Sequence, residues 1–239
     1  MERWDMGCTW ADAASLTSLM LDFTRIDEVV AGLAEGTLQA DLTAIADECA
    51  RCHGGRFDEA SRERVLPKVG ELTEEVARWN GDLMAFAQQV RREHTRLFDH
   101  PDRPALPYYE GAFINRRYLL AGRDAPDESV LFINRAANDA DRQYRKAGLR
   151  RDAKQNIPGD CMVTEMAFLG YLLTEALSSG EDAALREFMR LHMRPWAHDF
   201  FASLAQESDQ VYFRVLAEWS VLWLETLRAS FPREFWERR

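Results

Sequence analysis

The feature that most constrains this chain is the spacing of apolar residues in its last long segment. Tyr212, Val215, Leu216, Trp219, Leu222, Trp223 and Leu227 recur at steps of three and four. That period places them on one stripe of an α-helix and is incompatible with a strand, whose faces alternate every residue. Phe213, Ala217 and Leu224 widen the stripe, so this helix is expected to be buried on much of its circumference. The same period runs through most of the chain. "RPWAHDFFASLAQES" opens with Pro195, which suits a first helical turn, and repeats Trp196, Phe200 and Leu204 at i+4. "LREFMRLHM", "MVTEMAFLGYLLTEAL", "LMAFAQQVRREHTRLF", "VGELTEEVARW", "LQADLTAIADECARC" and "LTSLMLDFTRIDEVVAGL" all read as helices. "VLFINRA" (130–136) is the single strand-like candidate, and it sits inside a longer helical pattern. The expected fold is an all-α, single-domain globular helical bundle of roughly nine to eleven helices covering residues 1–239.

Two stretches interrupt this rhythm. "DHPDRPALPYYEG" (99–111) holds three of the eight prolines, Pro101, Pro104 and Pro107, and must be a loop. "GLRRDAKQNIPGD" (148–160) is polar, carries Gly148, Pro158 and Gly159, and is a hinge candidate between the halves. A hinge there would permit exchange of the C-terminal half, so the expected state is a monomer or a domain-swapped dimer.

Charge narrows the function classes. Thirty Lys and Arg stand against 40 Asp and Glu, a net of −10. Nucleic-acid binding needs clustered positive charge and is not expected; a basic peptide partner fits. Glu2 and Asp5 stand where a signal peptide has basic residues, and no uninterrupted apolar run comes after them. No stretch of about 18 apolar residues occurs, so no membrane insertion is expected, and the expected location is the cytoplasm.

"DECARCHGG" spells C-x-x-C-H with Cys49, Cys52 and His53, the pattern of covalent haem attachment. It falls near the end of a predicted helix that Gly54 and Gly55 would stop. A c-type haem requires export, and a zinc site requires a fourth ligand and usually a second such pair. The plainer account is two small soft residues at a helix C-terminus, with His53 favoured beside the negative end of the dipole. A metal- or haem-binding helical protein built on Cys49, Cys52 and His53 remains the alternative. His192 and His198 are six apart and do not share a helix face, so metal ligation by that pair is not expected. No phosphate loop, nucleophile elbow, H-E-x-x-H or inward Glu-x-x-His set is present, so no enzyme activity is expected.

Five motifs, in order between residues 93 and 224, resemble those of the TorD/DmsD family of cytoplasmic chaperones for dimethyl-sulfoxide-reductase-type molybdoenzymes. They are Thr95-Arg96-Leu97-Phe98, Pro107-Tyr108-Tyr109-Glu110, Pro158-Gly159-Asp160, Glu165-Met166-Ala167-Phe168-Leu169 and His192-Met193-Arg194-Pro195-Trp196. Two departures stand out. Cys161 replaces the family's hinge histidine, and Glu110-Gly111 replaces the serine of the proline loop. The resemblance implies no catalysis and no cofactor of the protein's own. It implies binding of a molybdoenzyme precursor and its twin-arginine leader, which delays export until the cofactor is inserted. The leader-binding surface is expected between the proline loop (104–113) and the hinge-to-helix segment (157–165), from Tyr108, Tyr109, Glu110, Pro158, Asp160, Cys161 and Glu165. Each has a plainer role as well. Asp160 suits an N-cap of the next helix. Glu165 falls on an apolar face and would be hydrogen-bonded to a neighbouring loop. Tyr108 and Tyr109 would anchor the loop, Glu110 would be a solvated loop charge, and Trp196 would pack in the core.

Overall fold

The computed structural model describes residues 7–52, 59–79, 81–100, 104–125, 134–150 and 157–231. Eleven α-helices occur among them, and no strand: α1 (Gly7–Leu21), α2 (Ile26–Glu35), α3 (Thr37–Cys52), α4 (Glu59–Arg78), α5 (Leu83–His94), α6 (Glu110–Leu120), α7 (Arg135–Lys146), α8 (Met162–Ser179), α9 (Ala183–Phe188), α10 (Arg194–Glu207) and α11 (Val211–Ser230). None is long and apolar enough to cross a membrane. The expected all-α bundle is what forms.

The apolar stripe of the last segment becomes the axis of the molecule. Tyr212, Leu216, Trp219, Trp223 and Leu227 of α11 are all essentially inaccessible to solvent. Removing side chains of that size from water contributes on the order of 2 kcal/mol each. The large rings also need partners for their polar atoms, and these tie α11 to the first half of the chain. Trp219 Nε1 donates to Leu42 O in α3 at 2.9 Å, Trp223 Nε1 to Thr17 Oγ1 in α1 at 3.2 Å, and Tyr212 Oη to Met20 O at 2.7 Å. Among the described helices, α1 packs most extensively on α8. This packing is made possible by Gly170, where a Cβ would stand 2.9 Å from Ser15 Oγ and 3.2 Å from Ala11 O.

The expectation of one helix across Leu16–Leu33 needs correction. The chain breaks at Asp22, whose carboxylate accepts from Thr24 N at 2.8 Å and caps a short 3-10 turn before α2. Aspartate competes for backbone donors in this way, which outweighs the continuing apolar pattern. In the strand-like stretch 130–136, Asn134 caps α7 by accepting from Ala137 N at 2.7 Å, and residues 130–133 lie outside the described set.

Two wide π-turns shape the region around the proline loop and α10. Thr95–Asp99 extends α5, and the proline loop folds back on it through Ala105 N to Arg96 O and Leu106 N to Leu97 O. Met189–Met193 joins α9 to α10. Pro195, with no N–H, cannot bond the carbonyl four residues back, and a widened turn accommodates this. That turn carries His192 inward.

Candidate functional site

The proline loop and the hinge segment meet through backbone. Tyr109 and Cys161 form an isolated antiparallel bridge, with Glu110 N bonded to Asp160 O and Met162 N to Tyr108 O, both at 2.9 Å. The two segments nominated from sequence are therefore brought together. Where their side chains go differs from expectation at several points.

Asp160 is not the N-cap of α8. Cys161 occupies that position, with no side-chain capping bond. The Asp160 carboxylate reaches instead to the start of α6, accepting from Gly111 N at 3.0 Å and from Asn134 Nδ2 at 3.0 Å. It supplies from another element the acceptor that the first turn of α6 lacks. Burial raises its pKa, and the bonds from Gly111 and Asn134 work against that rise. Glu110 is not a solvated loop charge. It is the first residue of α6 and is only 4 % exposed. A carboxylate is favoured at a helix N-terminus, and this one also meets His192, Oε2 lying 2.7 Å from Nδ1. Tyr108 is buried, its ring 5.0 Å from Phe98, and so anchors the loop. Tyr109 is half-buried, 4.6 Å from Tyr108. Pro158 is buried, and the Cys161 thiol is buried with its pKa pushed up to about 12, chiefly by burial. Trp196 lies in the core, as expected.

Glu165 is fully buried in α8. Trp196 Nε1, rather than a loop, donates to its Oε2 at 3.1 Å. Its Oε1 lies 3.7 Å from His192 Nδ1, and the Glu110 carboxyl is its neighbour in the same buried cluster. Burial first, and the neighbouring Glu110 charge second, push its pKa well above the usual carboxylate range. Glu110 is raised too, by burial, against the pull of His192. On its far side His192 Nε2 lies 3.1 Å from Asp139 Oδ2 of α7. Beside this cluster Tyr144 donates to Gly159 O at 2.6 Å, fixing the hinge segment to α7. The cluster opens on a cleft of about 340 Å³ lined by Glu110, Gly111, Ile114, Asp139, Arg142 and His192 among others.

Sequence reasoning missed Asn134, Asp139, Tyr144 and the central place of His192. The last was legible only as part of the His192–Trp196 motif. The other three come from α7 and its cap, for which periodicity offered no chemistry. Of the C-x-x-C-H pattern, Cys49 is buried in α3 and Cys52 ends that helix, while His53, Gly54 and Gly55 lie outside the described residues. Of the hinge candidate, residues 151–156 also lie outside them.

Residues 64–202 match the family described as nitrate reductase delta subunit. The chain belongs to that family, the NarJ/TorD-type chaperones, which mature molybdoenzymes and are not catalysts. A comparison with curated proteins found no match.

Proposed function

We propose that this protein is a cytoplasmic chaperone of a dimethyl-sulfoxide-reductase-type molybdoenzyme. It binds the twin-arginine leader and the apo form of that client, assists cofactor insertion and delays export. The whole chain, 1–239, acts as one domain with a hinge at 148–160. The observation that carries the reading is the family match over residues 64–202.

The surface of α6 supports it. A leader offers two arginines and then an apolar stretch. At the N-terminal end of α6 the cleft presents Glu110 and Asp139, with half-buried Tyr109 in the adjoining proline loop. At its C-terminal end Tyr118, Leu119 and Leu120 are exposed, Leu120 by 77 %. Ile114 lines both this cleft and the next one along, with Arg117 and Tyr118. The 11 residues of α6 span about 15 Å, enough for an extended segment of about four or five residues. Asp139 is held by Arg142 in an exposed i,i+3 pair, which contributes little and yields readily to an incoming guanidinium.

Calorimetric titration with a synthetic twin-arginine leader tests this, with a Lys-Lys leader as control. Micromolar or tighter binding is expected, weakened about tenfold or more for Lys-Lys, because lysine cannot make the bidentate contact. Leu119→Asp with Leu120→Asp should weaken binding without unfolding the chain. Binding that ignores both changes would remove α6 as the leader surface; no binding by the wild type would remove the reading itself.

A further inference from the structure

We propose that Glu110, Glu165 and His192 form a binding site for one zinc-class divalent metal ion, with its open position facing the cleft beside α6. Three elements that are distant in sequence converge to make it: the start of α6, the first turn of α8 and the π-turn Met189–Met193. Each offers one ligand atom, all within 4.8 Å of one another. Glu110 Oε2 and His192 Nδ1 are 2.7 Å apart, and Glu165 Oε1 and His192 Nδ1 are 3.7 Å apart. Ligands on a tetrahedral zinc ion with bonds of about 2.0–2.1 Å stand about 3.3 Å from each other. For these two pairs, shifts of about half an ångström close that gap.

The surroundings are those of a ligand set rather than of a plain ion pair. A metal-bound histidine characteristically gives its other ring N–H to a carboxylate. His192 Nε2 has Asp139 Oδ2 at 3.1 Å, and in the tautomer that donates there the Nδ1 lone pair would turn to the metal in place of its contact with Glu110 Oε2. Trp196 Nε1 holds Glu165 Oε2 and turns Oε1 toward the cluster. That Oε1 is fully buried beside the Glu110 carboxyl, and two carboxylates so placed repel unless a proton or a cation lies between them. A divalent ion bound there would displace the proton that burial favours on these carboxyls and balance the two charges they then carry. The cleft, lined by Glu110 and His192, provides entry and room for a water as fourth ligand. An imidazole with carboxylates suits zinc, iron or manganese better than magnesium or calcium. The inference does not rest on leader binding, although the two readings share Glu110 and Asp139.

The test titrates the chelator-treated protein with Zn2+ by calorimetry. The variants are Glu165→Gln, His192→Gln and the double change Cys49→Ser with Cys52→Ser. One Zn2+ per chain is expected, bound at micromolar affinity or tighter. The cysteine variant should bind equally well, and Glu165→Gln at least about tenfold more weakly. Glutamine keeps an acceptor for Trp196 and adds no charge, so the fold should survive, as circular dichroism would verify. Should that variant not fold, the visible spectrum of the Co2+-loaded wild type decides. Weak visible bands without a thiolate charge-transfer band support the site, and a strong near-ultraviolet thiolate band overturns it. Loss of binding in the cysteine variant would assign the metal to the C-x-x-C-H pattern and overturn the proposal. So would unchanged affinity in Glu165→Gln and His192→Gln, or no stoichiometric binding by the wild type.

Discussion

Cys161 ends the hinge segment with a thiol that water scarcely reaches, 1 % exposed, while its backbone does the pairing with Tyr109. Burial pushes its pKa up to about 12, so the reactive thiolate is scarce at neutral pH. Iodoacetamide at about pH 8 should leave Cys161 unmodified in the native protein and modify it fully in denaturant, as read by peptide mass spectrometry; native labelling would mean that the hinge segment opens. Glu93 allows a second test. Burial alone would raise its pKa, but bonds from Arg96, Ser208 and Asp209 N outweigh this and hold it below the usual range. The Arg96 side chain is 40 % exposed, so water screens much of its share. The Ser208 and Asp209 donors supply the rest, and Glu93→Gln should cost about 1–3 kcal/mol in urea unfolding. Since the folded pKa is depressed, the contribution is complete above the ordinary glutamate value of about 4.3 and fades as pH falls through the folded one. The wild type should therefore lose more stability than the variant between about pH 5 and pH 3. At this scale the sequence was a poor guide. An acidic residue after Pro107-Tyr108-Tyr109 reads as a loop charge, and nothing local reveals that His192, 82 positions away, meets it. Only the long-range pairing of loop and hinge does so.

Among elements, the join between α7 and the hinge is the tightest near the site. A Cβ on Gly159 would lie 2.5 Å from Asp141 Oδ1 and 2.9 Å from Ala137 O. The carboxylate can swing aside; the helix backbone cannot. Gly159→Ala should thus push the segment off α7, strain the Tyr144 bond to Gly159 O and destabilise the chain by about 1–3 kcal/mol. A stability equal to wild type would show that the segment yields there. The reason the elements were legible, and their joints less so, is physical. Burial of an apolar stripe follows from period alone, so α8, α10 and α11 could be read directly. Breaks and cross-capping follow from single polar side chains with several available partners. Asp22 ends a helix pattern that apolar spacing continues, and Asp160 caps α6 rather than the α8 it precedes. The π-turn at Met189–Met193 was signalled only by Pro195.

Across the whole molecule, the proposed function assigns the holding of a leader jointly to the net charge of −10 and the exposed apolar end of α6. Charge acts at a distance and steers a dipositive peptide toward the protein before contact, which raises the association rate. On that proposal, apolar contact with Tyr118, Leu119 and Leu120 would form only after docking and would govern how slowly the peptide leaves. Salt separates the two, because screening shortens the reach of charge from about 10 Å at 0.1 M to about 3 Å at 1 M and leaves apolar burial intact. Stopped-flow tryptophan fluorescence with a twin-arginine leader should accordingly show the association rate falling about tenfold over that range. The dissociation rate should change far less. If salt acted mainly on dissociation, the arginines would be held in short-range pairs within the cleft, and the acidic surface would not be the guide. A rate indifferent to salt in both directions would leave recognition to the apolar end of α6 alone.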